Sequence, residues 1–547
     1  MQQLSVDPIQ IPAKAQTAFR PPARMPKPDP LDLLSDADRD LFLKFGWGPK
    51  AAPRFPTILQ GFAHFASHQP EAIAAEYDGQ TLTYGALDAA SNRLAHLLAQ
   101  QGVRRGEVVC LYLHRSFEML IGLLAAMKVG AAYAPQHVGV ATPETLRHIA
   151  QITEAKVILT LRAHRDAVPS DGQAVICIDA ILDDDNPATT DDITPPIGPK
   201  FALRPDDRAI VLFTSGTTGV PNGVQVTHRN LCNILQTAPG DLGMRPGVRV
   251  GQILSIAFDM AAWETLGALS NGATLVIRGP SIAETAARVD ILIATPSILT
   301  ALDADHCRNV RVAAVAGEPC PRPLADRWGA FATFYNSCGP TETTIINTAA
   351  IHSPGKPVLS IGAPTPNNTV YILDDTLNPL PIGAKGEMWA GGDCVTPGYL
   401  GNPALTADRY RPDPFRPGKM MFRTRDLGRW TDDGELEHFG RVDDLVKIRG
   451  FRVELDGVSA ALEAVAGCDQ AVTLKFDDRN LVSFIAPATA SPEAAAQSVA
   501  AKLPYYHVPS LILAMDELPR TPRGKLDKRQ LLSFAATEIA RNGVELA

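Results

Sequence analysis

Between Phe55 and about residue 360, short unbroken apolar runs alternate with stretches of helical period, and that alternation leaves few architectures open. The runs are VVCLYL, KVILT, AVICI, AIVLF, QILSI, ATLVI, ILIAT and VRVAAVAG. Between them lie segments such as LDAASNRLAHLLAQ, which puts Leu87, Ala90, Leu94 and Leu97 on one helical face, and SFEMLIGLLAAMKVG. Strands apolar on both faces must be covered on both, and parallel strands need helical crossovers. An α/β chain with largely parallel sheets is therefore expected.

The texture changes after about residue 360, where shorter strands such as TVYIL and GEMWAGG are closely punctuated by Gly and Pro. This predicts a small β-rich subdomain. A boundary falls near GRVDD, and residues 442–547 mix VKIRGFRVEL, QAVTLKF and LVSFIAP with helices, as in a small α+β domain. Residues 1–50, rich in proline and charge around LSDADRDLFLKF, read as an extension or docking linker, and residues 51–441 as the large core domain. DDDNPATTDDITPPIGPK reads as a surface excursion.

The formal net charge is -8, from 51 basic and 59 acidic residues, which gives no basic footprint for nucleic acid. Eight scattered cysteines without a CxxC pair argue against structural zinc and for a reducing compartment. The first residues have no charged start followed by an apolar core, and no later run is long enough for a membrane span, so a cytoplasmic location is expected.

Behind the run AIVLF stands FTSGTTGVPNGV. A glycine-rich turn leaving a buried strand exposes backbone N–H groups, and its hydroxyls add donors, so phosphate is the natural guest. The Walker pattern is excluded, because no lysine follows Gly219 or Gly223. By itself the stretch also reads as an ordinary Ser/Thr/Gly surface turn.

LTYGAL, MKVGAAYAP, FTSGTTGVPNGV, FDMAAWE, YNSCGPTETT, GEMWAGGDCVTPGYL, FRTRDLGRW, GRVDDLVKIRGFRVEL, LPYYHVP and PRGKLDK follow one another between about residues 50 and 535. With these segments in this order, the chain resembles the adenylate-forming enzyme superfamily, specifically the stand-alone amino-acid-activating adenylation domains of nonribosomal peptide synthetases. The resemblance implies two doubly wound αβα subdomains and a β-barrel-like subdomain, followed by a small mobile α+β lid. It also implies two reactions at one site: a carboxylate attacks the α-phosphate of ATP, and the acyl-adenylate then passes to a thiol.

Residue roles follow from the same resemblance. Lys525 is the expected catalytic cation, a compact charge on a flexible stem, although alone it reads as a solvated basic turn. Thr214, Ser215, Gly216, Thr217, Thr218 and Gly219 form the phosphate loop, Asn336, Cys338 and Gly339 lie toward the adenine, and Thr341 is a further nucleotide-binding residue. Asp426 accepts from the ribose hydroxyls with Arg441 nearby, and Glu342 is the expected Mg2+ ligand, since a hard ion beside ATP takes few protein carboxylates. Asp443 is the hinge about which the small domain swings.

Asp259 matches the carboxylate that pairs with a substrate's α-ammonium group; its plainer reading is a helix cap. Met260, Trp263, Ile293, Ala314, Ala316, Ser337, Ile345 and Ile346 fall at side-chain pocket positions. That lining is apolar with one hydroxyl, so a hydrophobic amino acid is the expected substrate. Delivery in trans to a separate phosphopantetheinylated carrier protein is expected, with an MbtH-like helper as a further candidate partner. A carboxylic acid:CoA ligase and a non-catalytic ATP-binding protein are the alternatives.

Four residues depart from the pattern. Asn222 stands in place of a lysine, Cys338 of an aromatic that stacks on adenine, Arg425 of a glycine and Leu445 of a glutamine.

Overall fold

The computed structural model describes residues 29–182, 203–214, 221–356, 358–442, 445–520 and 526–542. Among them, one six-stranded sheet runs Ala174–Cys177, Val157–Thr160, Val108–Leu113, Ala132–His137, Arg208–Thr214 and Asn222–Thr227. All neighbours but the last pair are parallel. A nine-stranded sheet has a parallel centre of Thr333–Cys338, Val312–Val315, Ile291–Ala294, Arg249–Gln252, Thr274–Ile277 and Ile73–Tyr77, flanked by antiparallel strands. Both are the sheets the apolar runs predict. Val108–Leu113 is buried at every position, and so is the helix Asp259–Ser270 after its first residue, because helices cover both sheet faces.

A third sheet is antiparallel, with Asn368–Leu373, Gly386–Gly392, Met420–Trp430, Tyr410–Pro412 and Leu436–Arg441. Here the structure corrects the reading of residues 1–50 as a linker. Ser35 caps the helix Asp36–Phe45 by accepting from Asp38 N at 3.1 Å, and Phe42 and Phe45, three positions apart, point into the β-rich subdomain. Phe42 is fully buried between Tyr371 and Phe415, at ring centroid distances of 5.7 and 5.1 Å, and Phe45 packs on Trp430 at 5.9 Å. From Asp29 onward this segment belongs to the folded core; residues 1–28 lie outside the described residues.

The small domain begins with a hairpin of Leu445–Ile448 and Phe451–Glu454, joined by Arg449 and Gly450 at φ of 51° and 84°. Two positive φ values in a two-residue connection match a turn twisted like its strands. Behind it the sheet Gln470–Lys475, Leu481–Ala486 and Leu511–Ala514 separates two apolar cores, one around Val453, Val458 and Leu462, the other around Phe484, Leu518 and Leu531. The expected hinge Asp443, the expected cation Lys525 and the whole proline-rich excursion lie outside the described residues.

Truncating Phe42 removes an aromatic anchor that nothing else can replace. Phe42→Ala is expected to destabilise the large domain by about 3–5 kcal/mol, the usual range for a buried phenylalanine, read as a lowered thermal midpoint. An unchanged midpoint would mean the amphipathic segment is a detachable linker after all.

Candidate active site

The carboxyl ends of the central parallel strands open onto a cavity of about 810 Å³, walled by both domains. Such ends are where open α/β sheets hold ligands. Thr333–Cys338 delivers Asn336, Ser337 and Cys338 to the wall, and Gly339 follows them. A Cβ on Gly339 would stand 2.5 Å from Ile346 Cα, so only glycine allows the chain to turn back there. Thr344 and Ile345 complete the turn with φ of 56° and 72°.

Two carboxylates flank this turn, Asp259 half-buried on the cavity wall and Glu342 wholly buried. Asp259 is the first residue of the helix Asp259–Ser270, whose N-cap is Phe258, so it is not the cap itself. Its Oδ1 accepts from Met260 N at 2.7 Å and its Oδ2 from the Thr341 hydroxyl at 2.8 Å. Burial pushes the Asp259 carboxyl above the usual carboxylate range, opposed by the Thr341 hydroxyl and the Lys447 ammonium. Glu342 is fully buried and accepts from the Tyr399 hydroxyl at 2.6 Å, while its other oxygen faces Arg452 at 3.3 Å. Burial works to raise its carboxyl too, but Arg452, Arg409 and the Tyr399 hydroxyl outweigh it and hold Glu342 below its usual range.

The cations facing these acids come from the small domain. Lys447 and Arg452 are direct cross-strand neighbours in the hairpin. Like charges placed opposite each other repel, so the pair requires anions nearby. Lys447 lies 3.9 Å from where a Cβ would stand on Gly317, beside Met260 and Thr295, and Asp259 and Glu318 support its charge. Phe451 of the same hairpin packs on Phe258 at 5.4 Å and stacks on Tyr506 at 4.1 Å, closing the cavity from the small-domain side.

On the opposite wall, Asp426 accepts from Arg441 at 2.9 Å and sits 3.4 Å from His438 Nε2. Burial alone would raise Asp426, yet His438 and Arg441 together hold it low and ionised. Cys338 lies beside this group, its thiol pushed up to about 12 by burial and therefore neutral. Below the start of the Asp259 helix, Glu264 accepts from Ile253 N and Leu254 N, and Arg115 donates to Leu254 O at 2.9 Å, which fixes that part of the wall.

Of the remaining expected residues, Met260, Ala316, Ile345 and Thr214 stand on the cavity wall with Asp259, Ser337 and Thr341. Trp263, Ile293, Ala314 and Ile346 are buried but do not line the cavity. Trp263 donates its indole N–H to Gly240 O at 2.6 Å, and the residue that reaches the wall after Ile291–Ala294 is Thr295. Ser215, Gly216, Thr217, Thr218 and Gly219 lie outside the described residues. Asn222 begins the following strand and accepts from Asn402 Nδ2 at 3.3 Å.

Lys447, Arg452, Tyr399 and His438 do not stand out in the sequence. One signal is there: in VKIRGFRVEL, a turn at Arg449-Gly450 sets Lys447 against Arg452, an arrangement that calls for acids nearby, of which the segment itself supplies Glu454.

Comparison with known proteins agrees with this geometry. Residues 62–400 match the family described as AMP-binding enzyme. Adenylate-forming reductases 03009 and 06235 of Coprinopsis cinerea are 44% and 45% identical over 93% of this chain, which spans 50% and 49% of their lengths. Nonribosomal peptide synthetase 5 of Aspergillus fumigatus is 34% identical over 89% of the chain, which covers 22% of that protein. Among solved structures, holo-PA1221, an NRPS protein containing adenylation and PCP domains, overlays with a TM-score of 0.75 over 91% of this chain and 86% of its own, at 22% identity. The chain belongs to the AMP-binding enzyme family.

Proposed function

We propose that the protein activates a hydrophobic amino acid with ATP as its aminoacyl-adenylate and then transfers the aminoacyl group to the phosphopantetheine thiol of a carrier protein. The observation that carries this reading is Asp259, a half-buried carboxylate on the cavity wall whose protein donors are one hydroxyl and one backbone N–H. A buried carboxylate is costly without a cation, and an α-ammonium group supplies one. Met260, Ala316 and Ile345 on the same wall suit an apolar side chain.

In this reading Asp426 and Arg441 hold the ribose, Asn336 and Gly339 lie along the adenine, and the loop from Thr214 cradles the phosphates. Glu342 is the carboxylate that would hold Mg2+, since a hard, water-rich ion beside phosphates takes few protein carboxylates; here it is wholly buried with Tyr399 and Arg452 at its oxygens, and no cluster of three or more candidate ligands exists among the described residues. Bound Mg2+ would neutralise phosphate charge. Lys525 supplies the cation of the first step. Lys447 serves the second, in the pose where its hairpin fills the site. The likeness to adenylate-forming reductases favours one further reading, in which the thioester product is next reduced.

Amino-acid-dependent ATP–pyrophosphate exchange tests the proposal. Exchange with a hydrophobic amino acid is expected, and Asp259→Ala should lower kcat/KM at least about 100-fold, the scale of a lost buried charge pair. Because Asp259 must be ionised and burial raises its pKa, activity should be present at high pH and fall with decreasing pH at a value above the usual carboxylate range. An acid limb unchanged by Asp259→Asn would exclude the ammonium role. Lys447→Ala should slow thioester formation at least about tenfold while leaving exchange near wild type, as loss of a charge used in one step only. Equal loss in both steps would contradict the division of labour. Asn222→Lys should lower the KM for ATP by adding a charge beside the phosphate loop; an unaltered KM would show that the position does not face the phosphates.

A further inference from the structure

Ser337 stands on the cavity wall, 4% exposed, and its hydroxyl has no hydrogen-bond partner among the described residues. Polar neighbours on the same wall are engaged. Asn336 donates to Ser360 O at 2.7 Å, Thr341 donates to Asp259 at 2.8 Å, the Thr295 hydroxyl accepts from Ile298 N at 3.4 Å, and Glu318 accepts from Ser297 N at 2.8 Å. Side chains alternate along a strand, so Ser337 points away from Asn336. One step on from the parallel pairs Ala314–Tyr335 and Val315–Asn336, Ala316 lies next to it. Ile345, a β-branched residue at φ 72°, is held in a strained backbone by the turn that begins at Gly339, so this part of the wall is built rather than loosely packed. The Ser255 hydroxyl also lacks a partner, but Ser255 follows Arg249–Gln252, three strands away in the sheet.

A buried hydroxyl without a partner costs free energy, and an apolar group laid against it keeps that cost in the complex, whereas a ligand donor or acceptor removes it. We infer that Ser337 selects an amino acid whose otherwise apolar side chain carries one hydrogen-bonding group, a hydroxyl or an N–H, placed to meet the Ser337 Oγ. This rests on the reading of the cavity as an amino-acid site and narrows it. Asp259 holds the amine, Met260, Ala316 and Ile345 cover the apolar part of the side chain, and Ser337 meets its polar group. A serine hydroxyl donates and accepts, so it serves either kind of partner. An apolar wall alone separates similar side chains weakly, whereas a site that hydrogen-bonds a substrate group rejects the analogue that lacks it.

Matched pairs of amino acids that differ by one hydrogen-bonding group test this with the full chain, by kcat/KM in ATP–pyrophosphate exchange. The pairs are tyrosine and phenylalanine, threonine and valine, and tryptophan and its benzothienylalanine analogue, which lacks the N–H. In wild type at least one pair should favour the hydrogen-bonding member by at least about tenfold, the scale of one buried hydrogen bond, and Ser337→Ala should abolish that preference. The thermal midpoint of the variant reports its folding, and the wild-type pairs decide alone if it has unfolded. No preference in any pair, or a preference that survives Ser337→Ala in the folded variant, would overturn the assignment. The same pairs without the amine, such as hydroxyphenylpropanoate and phenylpropanoate, separate the two claims. Exchange with these acids alone would refute the role of Asp259, while the preference within them would still report on Ser337. Exchange with neither series would overturn both.

Discussion

A carboxylate taken out of water needs positive charge, and this site holds one wholly buried carboxylate, Glu342, and one half-buried, Asp259, each facing a cation of another domain. Asp259 and Glu342 belong to the large domain, while Lys447 and Arg452 lie side by side on a hairpin of the small one. Each pair is only partly balanced at home: Arg452 lies 3.4 Å from Glu454 on its own strand, and Glu342 has Tyr399 and Arg409 in the large domain. The two hairpin cations repel each other and the acids attract them, so charge draws the domains together across the cavity. Phe258 against Phe451 supplies the apolar part.

Much of the scaffold was legible from period and burial. Runs such as VVCLYL were recognisable as strands covered on both faces because nothing polar interrupts them, and the change to short punctuated strands after about residue 360 marked the antiparallel sheet. The docked helix Asp36–Phe45 was not legible. Its two aromatic anchors resemble those of any amphipathic linker until Tyr371, Phe415 and Trp430, more than three hundred residues away, are seen to receive them. At the site, the acids were readable from motif order, whereas Arg452 was not, because its meaning depends on Glu342, 110 positions earlier in the chain. Ile293 and Ala314 show the limit of reading a pocket by position: both are buried, but Thr295 and Ala316 are the residues their strands present to the cavity.

The departures from the family pattern acquire physical content in the structure. Arg425 stands in the left-handed region at φ 62°, where glycine is at ease, and its guanidinium lies 3.4 Å from Asp408, so strain and an ion pair meet at one residue. Cys338 stays neutral on the cavity wall and offers a small polarizable contact where an aromatic would give a broad face. Neither change removes a charge from the site. Asp426 keeps its two basic neighbours, and Asp259 and Glu342 keep theirs.

The central claim is that Asp259 waits for an ammonium group, and a matched pair of inhibitors tests it most directly. Calorimetry would compare a hydrolysis-resistant aminoacyl-adenylate mimic with its counterpart lacking only the amine. The account predicts that the amine strengthens binding at least about 100-fold in wild type, the scale of a close buried charge pair, and that Asp259→Asn abolishes the difference. Equal affinity of the two compounds for the wild-type protein would contradict it and would point to a carboxylic acid without an amine as the substrate.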